Sequence, residues 1–394
     1  MKSTNKEHEL DEIANKLLLE FNGRSKFYIY GAGKLGKLLY EKLKCKNQFS
    51  AFIDNDNRKQ RDGFCSEKVI TFKEYLKVGD KNIIIIAASE KNTIEIKNQL
   101  NEQGLIENKD YYLYDGFMKE IYPIINLYTY NELYIELCQI VLTERCTLRC
   151  KKCAHACYAA DNMLEDMSIE MAYKSADSFF EKVDLINEFV LIGGEPFLYK
   201  KLPDIIEYIG KKYRNQINIF SITTNGTITP KRDVLEMCKK YHVLIRISNY
   251  SEQIERLKKQ YEVLIKTLED FGVEYDITPE HGHWMDYGFE YVDNGDNPEQ
   301  LISIFDNCKT PCREIRGSKL YYCVMARSVA DNLHKNVGKD DYLDFDSLSE
   351  KDYKRQILEY TYGYSEKGYL DMCRYCHGAE AHKYVIPVAE QMNV

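Results

Sequence analysis

No run of apolar residues in this 394-residue chain approaches the roughly 20 that cross a bilayer. The opening Met-Lys-Ser-Thr-Asn-Lys-Glu-His has no apolar core of the kind that marks a secretory signal. Internal repeats, coiled-coil heptads and low-complexity stretches are missing as well. So is an excess of positive charge. The 54 Lys and Arg stand against 62 Asp and Glu, a net charge of −8, and this disfavours a nucleic-acid partner because phosphate binding is driven by basic surface. These absences predict a cytoplasmic protein of two to three domains, with neither membrane nor nucleic acid among its partners. Cysteine, by contrast, is plentiful. Thirteen thiols in a chain without an export signal point to metal rather than to disulfides.

Three of them, Cys146, Cys150 and Cys153, stand in C-x3-C-x2-C spacing on one short loop after the apolar, strand-like run 135–142. Thiolates are soft ligands suited to zinc or to iron–sulfur clusters. Cys157 follows at a further x3 spacing, so a closed four-thiolate zinc site is one reading. Four ligands so close together are tighter than the two separated pairs usual for zinc, and the spacing differs from the C-x2-C-x2-C run of bacterial ferredoxins. The triplet favours a cubane cluster with three protein ligands, which leaves one iron open to a small molecule.

The chain then alternates strand and helix patterns. The strand-like run 188–192 ends in Gly193-Gly194-Glu195-Pro196, and a helix pattern covers 202–213. Strand 217–222 ends in Thr223-Thr224-Asn225-Gly226, followed by helix 231–241; strand 243–247 ends in Ser248-Asn249-Tyr250-Ser251. A long amphipathic helix, 252–271, leads to strand 273–277. Such repetition predicts a parallel sheet with ligands gathered at the carboxyl ends of its strands. The cysteine loop and the three turns fall at such ends and should face one cleft.

On the C-x3-C-x2-C run after the first strand and Gly-Gly-Glu-Pro after the second, in a (β/α) partial barrel of about six strands, residues 134–285 resemble the radical S-adenosylmethionine (radical SAM) superfamily. The resemblance implies that Cys146, Cys150 and Cys153 bind a 4Fe–4S cluster whose fourth iron chelates the amine and carboxylate of SAM. By analogy Glu195 helps to bind the amine, while Thr224, Asn225 and Ser248 sit where family members contact the ribose or carboxylate. Gly193 and Gly194, followed by Pro196, would let backbone approach the ligand closely. Lys152 departs from the many members with an aromatic before the third cysteine. The implied chemistry is reductive cleavage of SAM to a 5′-deoxyadenosyl radical that abstracts hydrogen from an unactivated C–H bond, with a one-electron donor such as flavodoxin or ferredoxin. No acid–base pair is needed for that step, and no catalytic residue is assigned.

A second cysteine group follows: Cys308, Cys312, Cys323, Cys373 and Cys376. Buried packing thiols and a zinc site of two separated pairs are the alternatives. A C-x2-C pair opposing a hairpin-like Gly-to-Cys segment resembles the auxiliary-cluster extension called SPASM, in its shortened single-cluster form called twitch. This implies a second 4Fe–4S cluster with Cys323, Cys373 and Cys376 as ligands and Cys308 or Cys312 completing it. Cys45, Cys65, Cys138 and Cys238 read as packing residues.

The first 130 residues are a different object. Strand 26–30 runs into Gly31-Ala-Gly33-Lys-Leu-Gly36, which opens a helix to about Leu43, and strand 50–53 ends in Asp54. Strands 82–88 and 111–114 complete a small Rossmann-like unit. Gly-x-Gly-x-x-Gly between strand and helix, with an acid about twenty residues on, fits nucleotide binding. A docking domain with an empty fingerprint, and Asp54 as a turn residue, is the other reading. The polar segment 279–296, with His281, His283, Trp284 and Asp286, is either substrate-facing or a solvated loop; its histidine pair has no third metal ligand nearby.

The expected organisation is an α/β chain with a Rossmann-like domain (1–130), a radical SAM partial barrel (134–290) and a twitch/SPASM-like domain (291–394). The N-terminal domain, together with the resemblance of 308–323 and 373–391 to radical SAM proteins of polysaccharide pathways, suggests oxidation or epimerisation of a sugar or sugar nucleotide. A ribosomal-peptide maturase is the second reading, and a non-catalytic zinc-stabilised binding protein the third.

Overall fold

A computed structural model describes residues 9–21, 26–79, 82–160, 166–279, 282–308, 310–336 and 338–392. His281 and the first eight residues, on which two sequence expectations rest, lie outside the described residues. Contacts divide the chain into two compact units, Leu10–Tyr130 and a second comprising Asn131–Val394.

In the Leu10–Tyr130 unit, strands β1 (Phe27–Tyr30), β2 (Phe49–Ile53), β3 (Val69–Ile70), β4 (Ile83–Ile86) and β5 (Tyr111–Leu113) form a parallel sheet in the order β3-β2-β1-β4-β5. This is the order of a nucleotide-binding α/β sheet, which reverses direction between β1 and β4. Every residue of β1 and β4 is buried, as continuous apolar strands are when helices cover both faces. Cys45 ends the helix Lys34–Cys45 exposed, and Cys65 sits half-buried in a left-handed turn with φ 52°. Neither packs in a core, contrary to expectation, because both stand at chain reversals.

The second unit contains β6 (Tyr134–Val141), β7 (Leu185–Ile192), β8 (Ile217–Thr224), β9 (Val243–Ile247) and β10 (Tyr275–Ile277), followed by β11 (His283–Met285), β12 (Arg313–Arg316), β13 (Lys319–Tyr321), β14 (Tyr342–Asp344) and β15 (Val385–Pro387). One eight-stranded sheet runs β10-β9-β8-β7-β6-β12-β13-β14, and β11 pairs separately with β15. The sixth parallel strand therefore does not follow the fifth. It is β12, drawn from the cysteine-rich C-terminal stretch and paired beside β6 through Arg313↔Cys138 and Glu314↔Gln139. Residues 291–394 thus continue the sheet of 134–290.

Helices cover the parallel strands with apolar stripes at helical spacing. Helix Leu202–Lys212 buries Leu202, Ile205, Ile206 and Ile209, and helix Leu257–Phe271 buries Leu257, Tyr261, Leu264 and Leu268. The latter starts at Leu257 rather than at residue 252 because the Tyr250 carbonyl accepts the Gln253 and Ile254 amides and folds that stretch into turns. β10 likewise begins two residues late. The amide of Val273 closes the helix end on the Leu268 carbonyl after Gly272, whose φ of 68° makes the left-handed cap. Among the described residues no helix is long and apolar enough to cross a membrane. Cys138 and Cys238 are fully buried, as packing residues should be.

Candidate functional site

The chain leaves β6 into the cysteine loop, and side chains on both flanks hold that loop in place. Arg145 donates two hydrogen bonds to Asp166, at 2.9 and 2.7 Å, and a third to the Leu198 carbonyl at 2.9 Å. Lys152 and Ala156 adopt left-handed backbone, with φ of 57° and 51°, and so turn the loop back on itself. Cys146 Sγ donates to the Gly194 carbonyl (3.3 Å) and accepts from Asn225 Nδ2 (3.5 Å); Cys150 Sγ accepts from Gln391 Nε2 (3.1 Å). Gln391 also accepts the Arg149 amide, and residues 390–392 lie along the loop through Lys151 N–H to Glu390 O (2.7 Å) and Met392 N–H to Arg149 O (2.8 Å).

Burial pushes the Cys146 thiol up to about 11 and Cys150 up to about 12. Cys153 is held low by a hydrogen bond from the Cys157 thiol, which is itself held high. Cys146, Cys150 and Cys153 lie in one another's electrostatic field. Among the described residues, however, no three His, Cys, Asp or Glu side chains converge as a single-ion site. An all-thiol donor set around one loop fits a cluster, whose iron would take the place of these protons.

The Gly-Gly-Glu-Pro turn packs closely on the cysteine loop. A Cβ on Gly193 would lie 2.5 Å from the Thr143 carbonyl oxygen, and one on Gly194 would lie 2.4 Å from that of Arg145. The glycines are required by the cysteine loop packed against them; the Gly194 and Glu195 amides donate to the same two carbonyls at 2.8 Å. Glu195 is fully buried. Its carboxyl accepts from Phe197 N–H (3.1 Å), Thr224 Oγ1 (2.8 Å) and Asn225 N–H (3.0 Å), and burial pushes its pKa up to about 7. It joins the turn after β7 to the turn after β8. Pro196 is buried and opens a single 3-10 turn.

A cavity of about 360 Å³ opens where these turns meet. Lys152, Cys153, Ala154 and His155 from the cysteine loop form one wall; Gly193, Gly194, Thr224, Asn225 and Ser248 from the strand ends form another. Tyr250, Trp284 and Tyr287 complete it. Of the residues singled out in 279–296, His283 and Trp284 line the cavity, whereas Asp286 does not. Behind the loop lies an arrangement with no sequence signal. Arg327 is buried between Glu144 (2.6 Å) and Glu314, and its Nη2 donates to Ser328 Oγ, which lies 3.0 Å from His155 Nδ1. Burial pushes Glu314 up to about 7 against the pull of Arg327.

In the second cysteine group, Cys323, Cys373 and Cys376 each lie in the field of Cys308. Burial pushes the Cys312 thiol up, with Arg313 pulling it down and Glu188 adding to the rise. Asn294 Nδ2 donates to the carbonyls of Cys373 and Cys376, both at 2.9 Å. Buried Asp341 accepts the amides of Asp371 and Met372 and shapes the turn into Cys373. Tyr287, on the cavity wall, is also in the field of Cys308, Cys312, Cys323 and Cys376.

In the Leu10–Tyr130 unit, a Cβ on Gly36 would fall 2.0 Å from the Gly31 carbonyl oxygen, so Gly36 is there for helix–strand packing; Gly33 borders open space. Asp54 is already engaged, accepting Ala32 N–H (2.8 Å), Asp56 N–H (2.9 Å) and Lys59 Nζ (2.9 Å). Burial works to raise its pKa, but these donors together hold it below the usual carboxylate range.

The sequence model of the radical SAM superfamily matches residues 140–269, the stretch that supplies the cysteine loop and the three strand-end turns. The chain carries a radical SAM domain. The family's cofactors are a 4Fe–4S cluster and SAM. Over 102 residues the chain is 36% identical to the antilisterial bacteriocin subtilosin biosynthesis protein AlbA of Bacillus subtilis (strain 168), covering 25% of this chain and 20% of that one. A probable GTP 3′,8-cyclase of Methanococcus aeolicus is 32% identical over 99 residues, covering 25% and 31%. This chain therefore spans about a fifth to a third of these curated relatives. The solved structure of BtrN in complex with AdoMet and 2-DOIA aligns with a TM-score of 0.39 and 13% identity, over 65% of this chain and 100% of that one.

Proposed function

We propose that this chain is a radical SAM enzyme in which Cys146, Cys150 and Cys153 hold the SAM-binding 4Fe–4S cluster and Cys308, Cys323, Cys373 and Cys376 hold a second one. The observation that carries this reading is the single cavity shared by Cys153, the Gly193-Gly194 turn, Asn225 and Ser248. When bound, cluster and SAM together supply a 5′-deoxyadenosyl radical for hydrogen abstraction. The residues of this chain orient and shield. Asn225 bonds Cys146, Gln391 bonds Cys150, and the aromatic wall of Tyr250, Trp284 and Tyr287 limits water. Tyr287, between the cavity and the second cysteine group, marks where a substrate would lie within reach of both.

The reading for the substrate is a sugar or sugar nucleotide, oxidised or epimerised, supported by the β3-β2-β1-β4-β5 sheet of the first unit. Ribosomal-peptide maturation is the second reading, and it is favoured by the likeness to AlbA.

Anaerobically reconstituted protein should hold about eight iron with matching sulfide. The Cys146/Cys150/Cys153→Ala variant should keep about half of that iron and cleave no SAM. Stoichiometric zinc without sulfide would instead establish the zinc-stabilised binding protein. Substrate class is read from 5′-deoxyadenosine. Deuterium passing into it from a ring-deuterated sugar nucleotide supports the first reading, and passage only from a deuterated peptide replaces it with the second.

A further inference from the structure

Trp284 is the sole tryptophan of the chain and lines the cavity, where its role so far is only to limit water. We propose that Trp284, backed by Tyr250, is the platform on which the adenine of SAM stacks. This rests on the reading of the cavity as the SAM site.

Four observations support it. The rings of Trp284 and Tyr250 meet edge to face, with centroids 5.6 Å apart and planes at 90°, so they form a corner in which a ring face stays free for a ligand. Trp284 is only half-buried, so its ring retains surface that a bound base would cover. The wall bearing Thr224, Asn225 and Ser248 is polar, suited to the ribose and amino-acid ends of the same ligand. Finally, the segment carrying Trp284 is anchored on two sides. On one side β11 pairs with β15, setting Trp284 opposite Ile386, and the Asp286 amide donates to the Tyr384 carbonyl at 2.8 Å. On the other, Lys152 of the cysteine loop reaches Asp286 (3.4 Å) and Glu290, and Tyr158 Oη donates to Glu290 at 2.7 Å. The residue just before Cys153 thus acts as an ionic anchor for the segment that supplies the aromatic surface. A purine has a flat π face that any aromatic platform can take.

The test uses the single tryptophan as its own reporter. Reconstituted holoprotein is titrated with SAM, with 5′-deoxyadenosine and with methionine, following tryptophan emission and heat together. SAM and 5′-deoxyadenosine should change the emission saturably, SAM doing so at the Kd found by calorimetry, and methionine alone should leave it unchanged. Trp284→Ala should weaken SAM binding on the order of tenfold at unchanged iron content, with Trp284→Phe recovering most of it. SAM binding to wild-type protein without any change in emission would overturn the platform while leaving the SAM site standing, and this reading needs no variant. Unchanged affinity in a folded Trp284→Ala protein would do the same. Absence of SAM binding to the wild-type holoprotein would overturn both the platform and the site.

Discussion

Cys146, Cys150 and Cys153 lie on one loop, whereas Cys308, Cys323, Cys373 and Cys376 are gathered from three separated stretches. The first group owes its arrangement to covalent spacing and to the strand ends around it, where Gly194 and Asn225 touch Cys146. The second owes its arrangement to the tertiary fold: the hairpin of β12 and β13 delivers Cys323, while Asn294 and Asp341 shape the Cys373–Cys376 turn. A local site is fixed by a few backbone torsions. A gathered site depends on everything that brings its pieces together, and it should therefore be the more fragile of the two.

The sharpest way to break this comparison is to exchange ligands within the gathered group. Cys308→Ala should remove the iron of the second cluster, about half of the total of about eight, whereas Cys312→Ala should keep it, because Cys308 acts on the thiols of Cys323, Cys373 and Cys376. Iron and sulfide analysis of the two proteins decides it, and the reverse pattern would make Cys312 the ligand.

Next in size is Arg327, which links the two regions from behind. It joins Glu144, two residues before Cys146, to Glu314 of β12, and with Glu314 it forms an ion pair without aligned hydrogen bonds. Removing one partner of a buried ion pair costs about 3–5 kcal/mol. Arg327→Met should lower the stability of the second unit by about that amount in denaturant titrations. Adding Glu314→Gln should restore part of the loss; a single variant as stable as wild type would mean that the pair is not formed.

The smallest effect sharpens the comparison on the side of the cysteine loop. Glu195, with its pKa raised to about 7 by burial, holds a proton in the folded state over a range where the unfolded chain has lost it. Its contribution is fully present below the ordinary carboxyl pKa and is lost as pH rises through about 7. In that window it tilts stability downward by about 1.4 kcal/mol per pH unit. Glu195→Gln should flatten the dependence of Tm on pH between about 5 and 7. Parallel curves would show the carboxylate to be ionised in the fold.

The alternation of strands and helices was legible because it rests on local periodicity, and the element bounds moved by only a few residues where turns intervened, as at Leu257 and Tyr275. The roles of individual turn residues were less so. Glu195 and Asp54 both read as acids offered to a ligand at a strand end, yet each is occupied by amides and side chains of the neighbouring loop. Gly193 and Gly194 read as room for a ligand; they line the cavity and also leave room for Thr143 and Arg145. Nothing local marks Arg327 or Gln391, whose positions depend on chain far removed in sequence.

By itself, the sequence determined the thiol chemistry of the loop and the order of the strands, since covalent spacing and alternating polarity act over a few residues. Only the tertiary structure decided that β12 closes beside β6 and that a tryptophan faces the cavity. Those outcomes turn on strand pairing and burial between distant segments, which are properties of the whole packed chain and leave no trace in any one stretch of it.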